Sequence, residues 1–459
     1  MRPEVTSLPS TGHGDSYSML CMFRRPRWGI WILGCVFIGL TASVLRLGPT
    51  SGWLTSLAVL PGTLAYAMMA TNLLLATRQP VLERLFGPLD RVYVAHRLIG
   101  TIIVGVLGLH LVLIPIASTV DRRTSILDDL SMALPLGAAG TLLLVGSIAL
   151  AMNTKVPYDK WQRVHMATGL AFLVLTAHML SAASLWFSLT GPLGGVLGFF
   201  ALLGIASLIV RVVDKARGGV RYAIVETVQR ERGLEVVMQP EGARRIAPQR
   251  PGQFVFLTAT AAGARETHPF TLTSAEGDGR ISVLIRPSGN WTGAAQTGLS
   301  VTDQVRVEGP LGAFTPSAGA DAPQHQVWIA GGAGITPFLS VLRTAQRASD
   351  ADQPSHGKVE LVVAARDACD VPCWEDLSKY ARKLPWLTLT PAFSALGGRL
   401  DEGAVDRLAA SRPEGTVWYL CGPAGLTSMI QHRLKQDSSA HRQVHRELYE
   451  WRAVARGRQ

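Results

Sequence analysis

The chain has 459 residues, 48% hydrophobic and 17% charged, and its apolar residues concentrate in the first half in runs of about 20, the length that spans a hydrocarbon core. A formal net charge of +11 does not indicate a nucleic-acid binder, because many Lys and Arg residues sit in short loops between apolar runs and no basic stripe interleaved with aromatics occurs. The five cysteines, Cys21, Cys35, Cys369, Cys373 and Cys421, show no zinc spacing, no Cys-x-x-Cys-His haem attachment and no disulfide framework, so the second half reads as a reducing, cytosolic part.

Residues 1–27 are polar, and the first apolar run lacks an Ala-x-Ala-like cleavage site, which makes it an uncleaved span rather than a secretory signal. Six spans are expected, at about 28–47, 53–77, 93–117, 132–152, 163–187 and 192–213, giving a six-helix all-α transmembrane bundle over residues 28–213. Pro61 and Pro115 break two of them, which a packed bundle tolerates. Near the span ends one side carries Arg24, Arg25, Arg27, Arg78, Arg84, Arg91, Arg97, Lys155, Lys160, Arg163, Arg211, Lys215 and Arg217, and the other only Arg46, Arg122 and Arg123. That imbalance places both termini in the cytoplasm of a multi-pass protein of the inner or plasma membrane.

Histidine occurs in two spans: His96 and His110 in the third, His165 and His178 in the fifth. These helices run in the same direction, so His96 and His165 lie near the cytoplasmic side and His110 and His178 near the outer side. Each pair is separated along its helix by about 20 Å. A titratable group at such depth is expensive and usually functional, and neutral imidazole is an axial ligand of haem iron. Two b-type haems, held without covalent attachment, account for all four residues. Thirteen residues turn about 140° around a helix, so the fifth span cannot be straight if both of its histidines face the third; a π-bulge or fray near Gly169 would repair the phase. The alternative is that these are buried histidines bonded to backbone carbonyls.

After Asp214 the pattern changes. RYAIVETV, GLEVVMQ, QFVFLTA and RISVLIR, separated by Gly, Pro and charged turns, predict a small antiparallel β-barrel over 218–314. Residues 315–324 form a hinge. From 325 to 459 strands alternate with helices, which argues an α/β doubly wound parallel sheet. In HPFT an imidazole (His268) can donate toward a phosphate, an aromatic (Phe270) can lie against a ring face and a hydroxyl (Thr271) can bond a ring nitrogen. Arg286, Gly289, Trp291 and Thr292 follow; glycine admits a phosphate closely, and Arg and Thr donate to it. In IAGGAGITP, Gly331, Gly332 and Gly334 permit a tight turn and close approach of a pyrophosphate at a helix N-terminus, with Thr336 and Pro337 suited to the N-cap and first helical position. Cys421, Gly422 and Pro423 end a strand at the sheet edge where ligands of this architecture bind.

The four spaced histidines followed by HPFTLTS, GNWT, GGAGITPF and CGP, in that order and on that topology, resemble the ferric reductase and NADPH oxidase superfamily of transmembrane flavocytochromes, from about residue 28 to the end. The resemblance implies a cytosolic half of the ferredoxin–NADP reductase type. His268 and Pro269 then sit near the FAD pyrophosphate, Phe270 along the flavin, and Thr271 near the ring nitrogen that accepts hydride. It implies that Cys421 positions the nicotinamide, that Arg366 meets the 2′-phosphate of NADPH, with NADH as the alternative, and that Tyr449 stacks on the flavin with Glu447 as a nearby acid, a place Trp451 could take instead. Arg97 and Arg163 are candidates for the inner haem propionates and Arg46 for the outer.

Electrons from cytosolic NADPH would pass through FAD to the inner and then the outer haem and on to an external acceptor: dioxygen, a ferric chelate or a small redox protein. The superoxide-making members carry another histidine one turn beyond the outer ligand on the third span, where this chain has Ile114. A membrane-anchored flavin reductase serving a soluble partner, with structural histidines, is the competing reading.

Overall fold

The computed structural model describes residues 28–46, 53–87, 89–120, 132–153, 164–186, 190–436 apart from 262, 278, 317, 319–321 and 350–356, and 442–448. The apolar first half forms helices α1 (Trp28–Leu45), α2 (Trp53–Leu75), the short α3 (Pro80–Phe86), α4 (Leu89–Val120), α5 (Ala133–Met152), α6 (Ala167–Trp186) and α7 (Pro192–Arg217). A helix satisfies its peptide groups within one segment, which hydrocarbon demands. Among the described residues four helices, over Trp53–Leu75, Arg91–Ala117, Ala133–Leu150 and Pro192–Asp214, are long and apolar enough to cross a membrane; Leu33–Leu45 and Ala167–Ala182 are shorter apolar helices. The six expected spans therefore come out as four full-length helices and two shorter ones.

Ile38, Leu142 and Leu202, each more than 70% exposed, belong to an apolar exterior suited to acyl chains rather than water. The interior packs around Leu40, Ala67, Leu107, Phe172 and Phe200. There Tyr66 stacks on Phe172 with ring centroids 5.2 Å apart, and its hydroxyl meets Thr176 Oγ1 at 2.9 Å, so the phenol is not buried without a partner. Pro61 is accommodated inside α2.

α7 ends on Gly218, whose left-handed φ of 58° makes it a helix C-cap. Only Gly219 then separates it from the first strand, and Arg306 Nη1 donates to the carbonyls of Arg217 and Gly218 at 3.2 and 2.9 Å. The soluble half is thus held directly on the end of a membrane helix. Its first sheet comprises β1 (Val220–Arg230), β2 (Gly233–Pro240), β3 (Phe254–Ala261), β4 (Ala264–Thr271), β5 (Ile281–Ile285) and β6 (Gln304–Leu311), in the order β4-β3-β6-β1-β2-β5, with antiparallel pairs.

The expected barrel is not closed. Its edge strands β4 and β5 meet through the bridge Leu272–Val283 and the bond from Thr273 N–H to Ser282 O at 2.8 Å. The chain leaving β4 turns its polar groups elsewhere: Ser274 O accepts from Ser340 Oγ at 2.8 Å, and Ser274 Oγ accepts from Gln249 Nε2 at 2.9 Å. Closure would require a continued ladder in place of those bonds.

The second sheet holds β7 (His325–Gly331), β8 (Lys358–Ala365), β9 (Leu387–Phe393), β10 (Val417–Gly422) and β11 (Gln443–Leu448), in the order β11-β10-β7-β8-β9, all parallel. Alternation along β7 sends Trp328 and Ala330 into one core with Phe338, Leu342 and Leu377, and Val327 and Ile329 into the other with Trp418, Leu420 and Ile430. Burial on both faces is what a parallel sheet wrapped by helices requires. Strand order reverses between β7 and β10, and in open α/β sheets ligands bind at the C-terminal ends of the strands at such a switch point.

Candidate functional site

Three constellations lie along the molecule. The first is in the bundle. His96 Nδ1 lies 3.1 Å from Asn72 O, His110 Nδ1 2.9 Å from Ala58 O, and His178 Nδ1 2.7 Å from Ala133 O. A carbonyl only accepts, so in each ring the hydrogen is on Nδ1 and the Nε2 lone pair points away from the bond, the tautomer a metal ligand needs. His96 and His165 stand edge to face with centroids 6.0 Å apart.

The two outer histidines share a local device. Gly62 is four residues beyond Ala58 and Gly137 four beyond Ala133. A Cβ on Gly62 would come within 2.7 Å of His110 Cε1, and one on Gly137 within 2.9 Å of His178 Nδ1. Each glycine leaves the notch through which an imidazole reaches a carbonyl of the facing helix. Along α2, Asn72 and Ala58 are about 20 Å apart, so the histidine pairs occupy two levels. Among the described residues no group of three or more His, Cys, Asp or Glu side chains gathers as a metal site.

The fifth stretch is interrupted three residues before Gly169, whose N–H donates to Met166 O at 3.1 Å. Val164 and His165 are helical, Met166 is a turn residue, and α6 starts at Ala167. The break falls between the two histidines but next to the first, so His165 is freed from the register of the helix that carries His178. Gly169 instead packs closely under Leu208, whose Cδ2 would be 2.8 Å from a Cβ.

Among the proposed propionate partners, Arg97 and Arg46 are exposed, and Arg163 lies outside the described residues. The cation within electrostatic reach of both His96 and His165 is Arg211, which donates to Ala76 O at 2.5 Å.

The second constellation is the flavin-type strand and what faces it. Thr271 is 4% exposed at the end of β4, and its neighbour Phe270 pairs with Val255. His268 stacks on Trp291 with centroids 4.6 Å apart, and Phe270 lies 6.3 Å from the same indole, so HPFT and GNWT meet in space. His268 Nε2 also meets Glu266 Oε2 at 2.8 Å. Gly289 N-caps α8 (Asn290–Gly298). Thr292 Oγ1 accepts from the N–H groups of Ser288 and Gly289 at 3.0 and 2.9 Å; it shapes the turn from within. This sheet rests on the bundle through Phe254 and Phe256, which pack with Leu75, Leu82, Phe86, Leu89 and Val92. Arg78 lies over the Phe256 ring at 4.0 Å and donates from Nε to Tyr93 Oη at 2.7 Å, three residues before His96.

The third lies at the switch point between β7 and β10. Gly331, Gly332 and Gly334 end β7 and turn into α9 (Thr336–Ser349), and Cys421, Gly422 and Pro423 end β10. The two turns touch: a Cβ on Gly334 would be 2.1 Å from Cys421 O, and one on Gly331 2.8 Å from Pro423 Cδ. Gly332, at φ 55°, takes a left-handed conformation with the Arg286 guanidinium against it, which joins the flavin-type strand to the nucleotide-type loop. Thr336 Oγ1 donates to Ala333 O at 3.0 Å, and Pro337 is the second residue of α9. Cys421 is fully buried and pairs with Glu447 in the β10–β11 ladder, its Sγ 3.7 Å from Glu447 Oε2. His445 stacks on Tyr419 at 4.8 Å and burial pushes it down to about 4. Arg366 is exposed after β8; Asp367 turns its carboxylate inward to cap Asp370 N–H at 3.1 Å. Tyr449 and Trp451 lie outside the described residues.

Sequence reasoning missed a seam that joins the last two constellations. Glu235 on β2, 3% exposed, accepts from Arg230 Nη2 at 2.7 Å, Thr273 Oγ1 at 3.0 Å and Arg343 of α9. The two arginines hold its carboxyl down at about 2 against the opposing effect of burial. The signal for it was available only in part: Thr273 and Ser274 belong to HPFTLTS, but their partners are far away in sequence.

Three families match the chain. The ferric reductase like transmembrane component matches residues 61–176, the FAD-binding domain 225–334 and the oxidoreductase NAD-binding domain 328–432. The reductase component of propane 2-monooxygenase from Rhodococcus jostii is 26% identical over 50% of this chain and 65% of its own length. NADPH oxidase 3 from Rattus norvegicus is 33% identical over 31% of this chain and 27% of its own. Ferric reduction oxidase 2 from Arabidopsis thaliana is 32% identical over 26% and 17%. The chain thus spans less than two thirds of the length of each of these relatives.

Proposed function

Because the chain belongs to the ferric reductase and NADPH oxidase superfamily, we propose that it is a transmembrane oxidoreductase that carries electrons from NAD(P)H through FAD and two bis-histidine b-type haems to an acceptor across the membrane. In this reading residues 28–213 hold the haems, 218–314 the FAD and 325–459 the nucleotide. Both termini face the cytoplasm, as the Lys and Arg distribution favours.

The observation that carries the haem part is the pairing of His96 with His165. Two imidazoles ligating one metal from opposite sides at about 2 Å each stand with their centroids roughly 6 Å apart, and these rings are at 6.0 Å. The carbonyl bonds of Asn72, Ala58 and Ala133 support the same conclusion, since a ligating histidine characteristically donates its other ring N–H to a fixed acceptor. Structural histidines would make the same backbone bonds, so the ring spacing of His96 and His165 is what favours the haem reading, with Nδ1 of His96, His110 and His178 held by the backbone and Nε2 left for iron. His110 and His178 would hold the outer haem.

When bound, FAD takes a hydride's two electrons from NAD(P)H and releases them singly to haem iron. The chain's own groups supply position. Phe270 and the His268–Trp291 stack offer an aromatic wall to a ring system, and Arg286, beside Gly332, offers a cation to a pyrophosphate. The N–H groups at the start of α9 favour a second pyrophosphate. Cys421, with the Glu447 carboxylate beside it, ends β10 at the switch point, where a nicotinamide ring would be positioned. Arg366, free of the inward-turned Asp367 carboxylate, favours the 2′-phosphate of NADPH. The acceptor is a ferric chelate, dioxygen or a small redox protein.

The test uses detergent-purified protein with added FAD: NADPH in air, haem spectra, and superoxide formed per NADPH consumed. Nearly two superoxides per NADPH would identify dioxygen as acceptor, whereas haem that reduces and stays reduced points to ferric chelates or a redox protein. His110→Leu should remove one haem while NADPH still reduces the flavin; unchanged haem content would refute the assignment.

A further inference from the structure

We infer that Arg343 and Glu235 are a positioning pair that fixes the nicotinamide against the flavin, by fastening α9 to the chain leaving the flavin-type strand. The inference rests on the function proposed above and adds residues to it. α9 begins at the glycine turn that would cradle the nicotinamide nucleotide, and Thr336, Ser340, Arg343 and Thr344 recur on one of its faces at helical spacing.

Three of those four bond the segment just after HPFT. Ser340 Oγ donates to Ser274 O at 2.8 Å, Arg343 Nη1 to Thr273 O at 3.0 Å, and Thr344 Oγ1 accepts from Glu276 N–H at 2.9 Å. Arg343 also forks onto the buried Glu235 carboxylate, with Nη2 at 3.2 Å from Oε2, and Thr273 Oγ1 donates to the same carboxylate at 3.0 Å. The residues of this segment that α9 bonds, Thr273, Ser274 and Glu276, lie two to five residues beyond Thr271.

A second set of bonds holds the other nucleotide-facing element. The β1–β2 turn takes Cys373 N–H on Glu231 Oε2 at 2.9 Å, Arg230 pairs with Asp376 at 3.3 Å, and Arg232 pairs with Asp370. These partners lie on the loop and on the start of helix α10 (Trp374–Lys383) that follow Arg366. Both elements that bracket a bound nucleotide are therefore anchored to β1, β2 and the β4 exit.

Among the described residues, neither Arg343 nor Glu235 hydrogen-bonds or ion-pairs with Cys421 or the glycine turn, so their effect is on distance and angle. The step concerned moves one hydrogen nucleus with two electrons from the dihydronicotinamide, which is oxidised, to the flavin, which is reduced. A misplacement of about 1 Å can slow such a step roughly a hundredfold.

The experiment follows flavin reduction by stopped flow in the full chain loaded with FAD and haem, using NADPH and NADPH deuterated at the transferred position. For Arg343→Gln and Glu235→Gln the expected result is a flavin reduction rate at least tenfold lower and a changed deuterium isotope effect. FAD content, NADPH Kd and dithionite-reduced haem spectra should match the wild type, and Arg343→Lys should recover part of the rate. If the glutamine variants do not accumulate, Ser340→Ala, which removes one neutral bond of the same seam, is expected to slow the step severalfold. A hydride step of wild-type rate and isotope effect in Arg343→Gln, or in Ser340→Ala where that variant decides, overturns the pair's role while leaving the proposed function intact. Wild-type protein whose flavin NADPH does not reduce overturns both.

Discussion

Replacing Gly62 with alanine tests the proposed outer haem site without touching a histidine. In a helix interior this exchange is ordinarily favourable by up to about 1 kcal/mol, so general loss of the helix does not confound it. Here the new Cβ would stand 2.7 Å from His110 Cε1 and 2.8 Å from Nδ1, some 0.7 Å short of ordinary contact at 3.4 Å. The ring must retreat, and the way out stretches its 2.9 Å bond to Ala58 O. Losing an orienting partner of a metal-bound histidine typically weakens metal binding by about 10- to 100-fold. On the proposed two-haem assignment, Gly62→Ala should therefore lower the haem-to-protein ratio from two toward one under dilute purification, with Gly137→Ala doing the same through His178. Pyridine haemochrome assay together with reduced-minus-oxidised spectra measures this. Two haems retained at full occupancy in both variants, with wild-type potentials, would refute the argument that these glycines exist to admit the imidazoles.

Three further outcomes are expected. Gly334→Ala puts a Cβ 2.1 Å from the Cys421 carbonyl oxygen, a backbone clash that should abolish flavin reduction by NADPH while FAD and haem stay bound; stopped-flow absorbance reads both. The Glu235 carboxyl, lowered to about 2 from the ordinary 4.5, contributes stability that is fully present above about pH 4.5 and lost as pH falls through about 2, up to about 3 kcal/mol; denaturant unfolding of Glu235→Gln across that window should be flat where the wild type slopes. His445 is held neutral by burial down to about 4, so its contribution is present above about pH 6.5 and lost as pH falls toward 4. His445→Phe, which keeps the stack on Tyr419, should lessen the slope of stability between those values, and an unchanged slope would count against it.

Much of the site was legible because its motifs are local. HPFT, the glycine turn and CGP each need only a few consecutive residues, and the turn types they require follow from glycine and proline alone. The parallel sheet was legible for a similar reason, since strand and helix periods alternate plainly from His325 onward. Membrane helices declared themselves by composition. Their histidines could be paired from chain direction and depth without any knowledge of packing.

Other features depended on contacts the sequence does not announce. The barrel was expected from short β-rich stretches separated by turns, but whether the edges of such a sheet close depends on what the exit from β4 bonds; Ser274 bonds Gln249 and Ser340, one 25 and the other 66 residues away. The break that frees His165 falls at Met166, a residue with no helix-breaking character of its own. Arg211, which acts on both His96 and His165, joins Arg97, which acts on His96 alone, near the inner histidines; it is brought there by the packing of α7, far from both in sequence.

The sequence by itself determined which segments are apolar enough to leave water, which turns can admit a phosphate, and which four imidazoles share two levels of one bundle, because each of these follows from residue type and period. Only the tertiary structure decided that Gly62 and Gly137 open the way for His110 and His178, that Arg286 lies against Gly332, and that Glu235 is joined to Arg343, 108 residues along the chain. Such contacts depend on shape complementarity between elements brought together by folding, and periodicity within one element carries no record of what another presents to it.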